Sequence, residues 1–242
     1  MKYAIIADIH ANLEAFLAVE EDLKKETVDK YICLGDIVGY GANPIECMDA
    51  AGAMFDVIIA GNHDYAVCGL FDLSLFNPYA RKSVEWTIAV VGEKEKNLLK
   101  TLTLTKELEN FTIVHGSLYH PDEFNYILNL KEAAKTFDKL RQKICFIGHS
   151  HSPAIIIKDY ENKIDYHKIT ETTILKDSQY IINVGSVGQP RDGDPRACYC
   201  VYDSVEKTVK IKRVEYAVSR AQEKIIKAGL PQFLATRLGG GR

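Results

Sequence analysis

Residues that could bind a metal occur in five short groups, and each group lies close to an apolar, strand-like run. The groups are Asp8 with His10, Asp36, Asn62 within Gly61-Asn62-His63-Asp64, His115, and His149 with His151. In an extended segment, residues two apart point to the same side, so each of the two pairs can face one site. Taken alone, such a pair is more often a turn or a surface pair than a ligand pair. Together the groups combine carboxylates, imidazoles and an amide, a set that suits Mn, Fe, Zn, Co or Ni.

These groups contain more candidate ligands than one metal ion needs. Two ions about 3.5 to 4 Å apart that share one carboxylate would use all of them and would activate a bridging water as a nucleophile. Within the tetrapeptide, Asn62 offers a carbonyl oxygen to a metal, while His63, held by Asp64, could donate a proton to a leaving group. The tetrapeptide alone is equally compatible with an Asx-type turn that carries a surface histidine.

The elements that must position these residues alternate between strand and helix. Apolar runs at 2–8, 31–34 and 56–60 are separated by helical patterns, which predicts a parallel sheet with helices packed on it. Asn12 is the predicted N-cap of the first helix. After Pro153, short runs predict a largely antiparallel second sheet and two closing helices. The runs cover 154–157, 163–169, 180–184, 197–202 and 208–214, and the helices cover 218–227 and 231–238.

Length and composition indicate one globular α/β domain with two packed sheets. The chain has 242 residues, of which 47% are hydrophobic and 26% charged, and its net charge is -3. We therefore expect a single domain over 1–238 and a flexible tail over 239–242. The slightly acidic balance argues against nucleic acid as a partner. The first apolar run is too short for a signal peptide, and no run is long enough for a membrane span, so we expect a cytoplasmic location. The six cysteines form no CxxC pair, so we expect reduced, mostly buried thiols.

Five sequence blocks, taken in order, resemble the calcineurin-like metallophosphoesterase superfamily. They are Asp8-Ile9-His10, Gly35-Asp36-Ile37-Val38-Gly39-Tyr40-Gly41, Gly61-Asn62-His63-Asp64, His115-Gly116 and Gly148-His149-Ser150-His151. The stretch 183–191 and the C-terminal 231–238 are similar to a compact bacterial and archaeal branch of single-domain phosphoesterases. The resemblance implies a four-layer α-β-β-α sandwich with two mixed sheets flanked by helices.

The resemblance also implies a role for each matching residue. The first metal would be held by Asp8, His10, Asp36 and His151, and the second by Asp36, Asn62, His115 and His149, with Asp36 bridging. His63 would stabilise or protonate the leaving oxygen, and Asp64 would orient His63. The implied activity is hydrolysis of small phosphate mono- or diesters, nucleotides among them, by attack of a metal-bridging hydroxide. A serine/threonine-type protein phosphatase and a non-catalytic interaction scaffold remain alternatives.

Four further residues are candidates for substrate contact. Arg191 and Arg196 lie in a loop over 189–196 and could bind phosphate, although the same loop could be a turn whose arginines pair with its own aspartates. Tyr40 and Asn12 lie next to ligand-bearing loops, where a packing tyrosine and a helix cap are the alternatives. The preference between mono- and diesters, the native metal and the oligomeric state stay open.

Overall fold

The computed structural model describes residues 1–168 and 170–242, and it contains two mixed six-stranded sheets. The first sheet has the spatial order β3 (Val57–Ile58), β2 (Lys30–Cys33), β1 (Lys2–Ile6), β11 (Ala197–Asp203), β12 (Thr208–Val214) and β9 (Glu171–Thr173). The second has the order β4 (Thr105–Glu107), β5 (Thr112–Val114), β6 (Ile144–Ile147), β10 (Gln179–Asn183), β7 (Ala154–Lys158) and β8 (Ile164–His167).

Eight α-helices accompany the sheets in the described residues. They are α1 (Leu13–Leu23), α2 (Pro44–Met54), α3 (Asn62–Val67), α4 (Pro78–Val90), α5 (Glu93–Lys100), α6 (Leu130–Lys139), α7 (Val218–Lys227) and α8 (Gln232–Leu238). Asn12 caps α1 as predicted, because its side chain accepts a hydrogen bond from the Ala15 N–H at 3.2 Å. The predicted α/β class with two mixed sheets flanked by helices is confirmed.

The main core lies between the two sheets. Alternate residues of β1 divide between the layers: Tyr3 and Ile5 pack against side chains of the second sheet, whereas Ala4 and Ile6 pack under helices such as α1. This alternation follows from the period of two in a strand and shows that β1 is buried on both faces. The six cysteines are buried and free, as expected from the sequence.

The predicted membership of the second sheet is correct for β7, β8 and β10 and wrong for the runs that form β11 and β12. Strands β9, β11 and β12 belong to the first sheet, where β11 pairs antiparallel with β1, while β4, β5 and β6 from the middle of the chain belong to the second sheet. An alternating pattern identifies the two faces of a strand but not the partner that pairs with its edge. Position 169, part of the predicted run 163–169, lies outside the described residues.

The C-terminal residues contact the loop over 189–196. Gly241 is buried, and its carbonyl oxygen accepts a hydrogen bond from the Gly193 N–H at 2.9 Å. The backbone of Asp194 is so close that a Cβ atom on Gly241 would lie 2.7 Å from it. The flexible tail over 239–242 and the single domain over 1–238 stay predictions.

Candidate metal centre

Tight left-handed turns place the predicted ligands at the ends of strands. Five of them have positive φ angles: Asp8 (56°), His10 (50°), Asp36 (55°), His149 (66°) and His151 (58°). This conformation is uncommon for residues other than glycine, and such strain concentrates at functional sites. The turns direct side chains from both sheets into one buried region, where Oδ1 of Asp8 lies 3.8 Å from Nε2 of His115.

The structure contains three clusters of possible metal ligands, and two of them consist entirely of residues that the sequence predicts as ligands. In each cluster, the possible ligand atoms lie within 4.8 Å of one another. One cluster contains Asp8, His10 and His151, and the other contains Asp36, His115 and His149. Asp36 also reaches the first cluster, because its Oδ2 is 3.5 Å from His10 Nε2 and 3.3 Å from His115 Nε2.

Backbone carbonyl groups set the orientation of three of the imidazoles. The Nδ1 atom of His10 is 3.1 Å from the Val38 oxygen, and that of His115 is 2.8 Å from the Leu34 oxygen. The Nδ1 atom of His151 is likewise 2.6 Å from a carbonyl oxygen. A carbonyl oxygen can only accept, so each Nδ1 carries a proton, and in the neutral ring each Nε2 presents a lone pair to the centre. Metal-binding histidines are held in this way.

Several of these atoms need a positive charge opposite them. The Nε2 atoms of His10 and His151 lie 3.1 Å apart, each with its lone pair toward the centre. Asn62 Oδ1 and His115 Nε2 are buried and have no hydrogen-bond partner among the described residues. Buried polar atoms are rarely left unpaired, and an ion is one explanation when they are. The donor set therefore fits divalent metal ions.

Burial and charge shift the pKa values of the acidic ligands in opposite directions. Burial raises the pKa of Asp8 to about 7. Burial also acts to raise the pKa of Asp36, but the neighbouring imidazoles of His115 and His63 hold that pKa below its usual range. Burial acts to lower the pKa of His115, whereas Asp36 and Asp8 raise it to about 9. Protons and metals compete for such atoms, so metal binding here would release protons.

His63 lies beside both clusters with its ring enclosed by aromatic neighbours. Its centroid is 4.4 Å from the Tyr40 ring and 4.8 Å from the His10 ring. Its Nδ1 has no hydrogen-bond partner among the described residues, and Gly39 is so close that a Cβ atom there would lie 2.2 Å from Nδ1. His63 also forms a third possible ligand cluster with His10 and Asp36, which sequence reasoning did not anticipate.

Asp64 has a different environment from the one predicted. Its Oδ2 accepts from the N–H groups of Asp36 at 2.8 Å and Gly61 at 3.1 Å, and its Oδ1 accepts from Ile37 at 3.0 Å and Val38 at 3.3 Å. Both carboxylate oxygens are thus engaged by backbone groups rather than by the His63 ring. Asp64 holds the loop that carries Asp36, and the predicted contact with His63 is replaced by these four hydrogen bonds.

The structure brings two of the four predicted substrate residues to the centre. Tyr40 packs on His10, and the Arg191 guanidinium lies 5.5 Å from the centre of the Tyr40 ring. The Asn12 side chain is buried and bonded to Ala15 and to the Gly188 carbonyl at 2.8 Å. Arg196 lies at the surface and pairs with Asp194, as the turn interpretation of the loop proposed.

Sequence reasoning missed the aromatic residues that surround the centre. Tyr126 stacks on His149 with 3.9 Å between ring centroids and an interplanar angle of 15°. Phe76 packs edge-on against His63 at 4.9 Å, and Phe124 packs against His115 at 5.9 Å. These residues lie in loops without a periodic pattern, so the sequence carries no signal for their position. Together with Arg191 they border a cleft of about 270 Å³ beside the ligands.

Two mixed sheets, with clustered acids and imidazoles where strands of both sheets end, define a sandwich protein with a candidate metal centre. A profile of the calcineurin-like phosphoesterase superfamily domain matches residues 1–207. The chain belongs to this superfamily, and the membership supports a phosphoester hydrolase.

Individual proteins are similar to this chain over nearly its whole length. An uncharacterized protein of Methanocaldococcus jannaschii, MJ0912, is 39% identical over 99% of this chain and 98% of its own length. The crystal structure of a metallophosphoesterase from Sphaerobacter thermophilus is 38% identical and has a TM-score of 0.88, with 100% of this chain and 99% of that chain covered. A hypothetical protein, PH1004, from Pyrococcus horikoshii shares the fold, with a TM-score of 0.78 at 20% identity over 100% of this chain and 98% of its own.

In the described part of the chain, the helices are too short or too polar to cross a membrane.

Proposed function

We propose that the protein is a dinuclear-metal phosphoesterase that hydrolyses small phosphate mono- or diesters. The observation that carries the proposal is the convergence of three histidine Nε2 lone pairs, each ring held by a backbone carbonyl, on the carboxylates of Asp8 and Asp36. In the neutral rings these lone pairs would face carboxylate oxygens, which favours a bound cation, and the cluster of Asp8, His10 and His151 together with that of Asp36, His115 and His149 supports two ions.

The proposed ligands follow the clusters. Asp8, His10, Asp36 and His151 would hold one ion, and Asp36, Asn62, His115 and His149 would hold the other. When bound, two divalent ions from the set Mn, Fe, Zn, Co and Ni supply positive charge for the phosphoryl oxygens and lower the pKa of water, which makes water a nucleophile at neutral pH.

The remaining groups act on the substrate itself. His63 borders the cleft beside the clusters, where its N–H stabilises or protonates the leaving oxygen. Arg191 supplies a guanidinium for the phosphate. It is preorganised, because Gln189 Oε1 accepts from its Nη2 at 2.8 Å and its own N–H donates to the His151 carbonyl at 3.1 Å. The negatively charged phosphate would therefore bind to a guanidinium group whose position is already fixed by the protein.

Two alternatives use the same fold. A serine/threonine-type protein phosphatase would need a long groove for a peptide, and a cleft of about 270 Å³ favours small esters instead. A non-catalytic scaffold would keep the centre as a structural site. Its distinguishing property is bound metal without hydrolysis.

The test is hydrolysis of p-nitrophenyl phosphate and bis(p-nitrophenyl) phosphate by protein that has been depleted of metal and reloaded with Mn, Co, Ni or Zn. We expect metal-dependent turnover that is lost in Asp36→Asn and retained in Asp138→Asn, the same change at an exposed site on α6. Metal-loaded protein that hydrolyses neither ester with any of the ions refutes the enzyme proposal and favours the scaffold. Turnover of a phosphopeptide in preference to both esters would favour the protein phosphatase.

We also propose a cytoplasmic location with manganese among the candidate native ions. The six free, buried cysteines support a reducing compartment. Metal analysis of protein purified from its own source, without added metal, tests the choice of ion.

A further inference from the structure

The ring of His149 is held differently from those of His10, His115 and His151, the other predicted histidine ligands. Each of those three rings has its Nδ1 within 3.1 Å of a backbone carbonyl oxygen. The hydrogen bonds of His149 among the described residues come from its backbone N–H, which donates to the Asp8 carboxylate at 3.0 Å, and its ring forms none. Rotation of an imidazole about its Cβ–Cγ bond has broad minima, so this ring needs another contact to keep one orientation.

Tyr126 supplies such a contact. Its ring stacks on the His149 ring with 3.9 Å between centroids and an interplanar angle of 15°. Because the two rings are nearly parallel, rotation of the imidazole would push its edge into the tyrosine ring. The ring of His115 is also a neighbour, but it is 4.9 Å away and tilted by 58°. The stack therefore favours the orientation in which a ring nitrogen of His149 lies within 4.8 Å of the ligand atoms of Asp36 and His115.

The loop between β5 and α6 fixes the position of Tyr126. The loop begins at the predicted ligand His115, and its Phe124 is buried and packs edge-on against the His115 ring at 5.9 Å. The carbonyl oxygen of Asn125 is so close to Gly116 that a Cβ atom on this glycine would lie 2.8 Å from it. The two residues before Tyr126 are thus packed against the start of the loop. One segment therefore supplies both a ligand and the ring that stacks on another ligand.

We infer that Tyr126 is a positioning residue whose ring orients His149 as a ligand of one of the two proposed ions. That ion is the one assigned to Asp36, Asn62, His115 and His149. The inference rests on the dinuclear centre proposed above, and it concerns the binding of one ion rather than the chemical step. A neighbour that orients a metal ligand usually contributes about 10–100-fold to metal affinity.

Two variants separate the tyrosine ring from its hydroxyl. Tyr126→Leu removes the ring and retains apolar volume, whereas Tyr126→Phe retains the ring and removes the hydroxyl. The side chain is 45% exposed, so neither change opens the core. The control Tyr79→Leu removes a tyrosine that is 49% exposed and stacks at 4.7 Å on Phe233, which is not a metal ligand.

Competition with a chelator measures the affinity for cobalt ions in protein that has first been depleted of metal. We expect the wild type to bind two ions, and Tyr126→Leu to bind one of them about tenfold or more weakly while the affinity for the other changes by less than about threefold. Tyr126→Phe and Tyr79→Leu should bind both ions as the wild type does. Urea denaturation of the metal-free proteins should give similar midpoints for Tyr126→Leu and Tyr79→Leu, because each loses one half-exposed stack.

The possible results separate this inference from the proposed function. Wild-type affinity for both ions in Tyr126→Leu overturns the positioning role and leaves the phosphoesterase standing, as does an equal loss in Tyr126→Phe or in Tyr79→Leu. Wild-type protein that binds fewer than two ions at saturating cobalt overturns both the dinuclear centre and the inference. Protein that shows the expected loss in Tyr126→Leu but hydrolyses neither nitrophenyl ester refutes the enzyme alone and supports the role of Tyr126.

Discussion

The replacement Asp64→Asn distinguishes the role that the sequence predicts for this residue from the role that the structure shows. Each carboxylate oxygen of Asp64 accepts two backbone N–H groups, from Asp36 and Gly61 at one oxygen and from Ile37 and Val38 at the other. An amide of the same shape keeps one accepting oxygen. Its NH₂ group then faces two N–H donors, and two hydrogen bonds are lost.

The size of the effect follows from burial. Asp64 is completely buried, so the two backbone donors that lose their acceptor have no access to water. A buried, unsatisfied donor costs about 1–3 kcal/mol, which gives a loss of about 2–6 kcal/mol in the free energy of unfolding. This is a large share of the about 5–15 kcal/mol that stabilises a typical domain. The loop carries the Asp36 ligand and the Val38 carbonyl that orients His10, so metal retention should fall as well.

Urea denaturation and metal analysis by mass spectrometry measure the two effects on the same preparation. The control Asp138→Asn, at an exposed site on α6, should change the free energy of unfolding by less than about 0.5 kcal/mol. The reasoning is refuted if Asp64→Asn unfolds at the wild-type urea concentration and retains its metal, yet loses turnover. That result would return Asp64 to the predicted role of orienting His63.

Four further perturbations test other parts of the centre. His63→Ala should lower kcat about a hundredfold with two ions still bound; loss of one ion would show instead that His63 is a ligand. Asp36→Asn should weaken binding of both ions, and metal analysis that finds both still tightly bound would argue against a bridging Asp36. Gly39→Ala, at φ +87° and with its Cβ 2.2 Å from His63 Nδ1, should lower kcat and destabilise folding by more than about 1 kcal/mol in urea titrations. Deletion of 239–242 removes the Gly241 contact to the loop of Arg191 and should raise KM for p-nitrophenyl phosphate several-fold, whereas an unchanged KM would support a flexible tail.

The sequence by itself determined the local features of this protein. Asp8, His10, Asp36 and the other ligand candidates could be found because they follow short apolar strands, and strand periodicity spans only a few residues. The Asn12 cap and the helices α7 and α8 were predictable for the same reason, since caps and helical periods involve near neighbours. The order of the five sequence blocks also indicated the family that the chain resembles.

The tertiary structure alone decided how these local features combine. The edge of β1 pairs with β11, almost two hundred residues away, and an alternating pattern carries no information about such a partner. The Asp64 carboxylate accepts hydrogen bonds from the backbone of the loop that carries Asp36. The buried N–H groups of this loop need acceptors, and Asp64 lies near them only in the folded chain. The aromatic residues beside the centre likewise lie in loops that only the tertiary structure brings together, so their rings are neighbours in space without forming a pattern in the sequence.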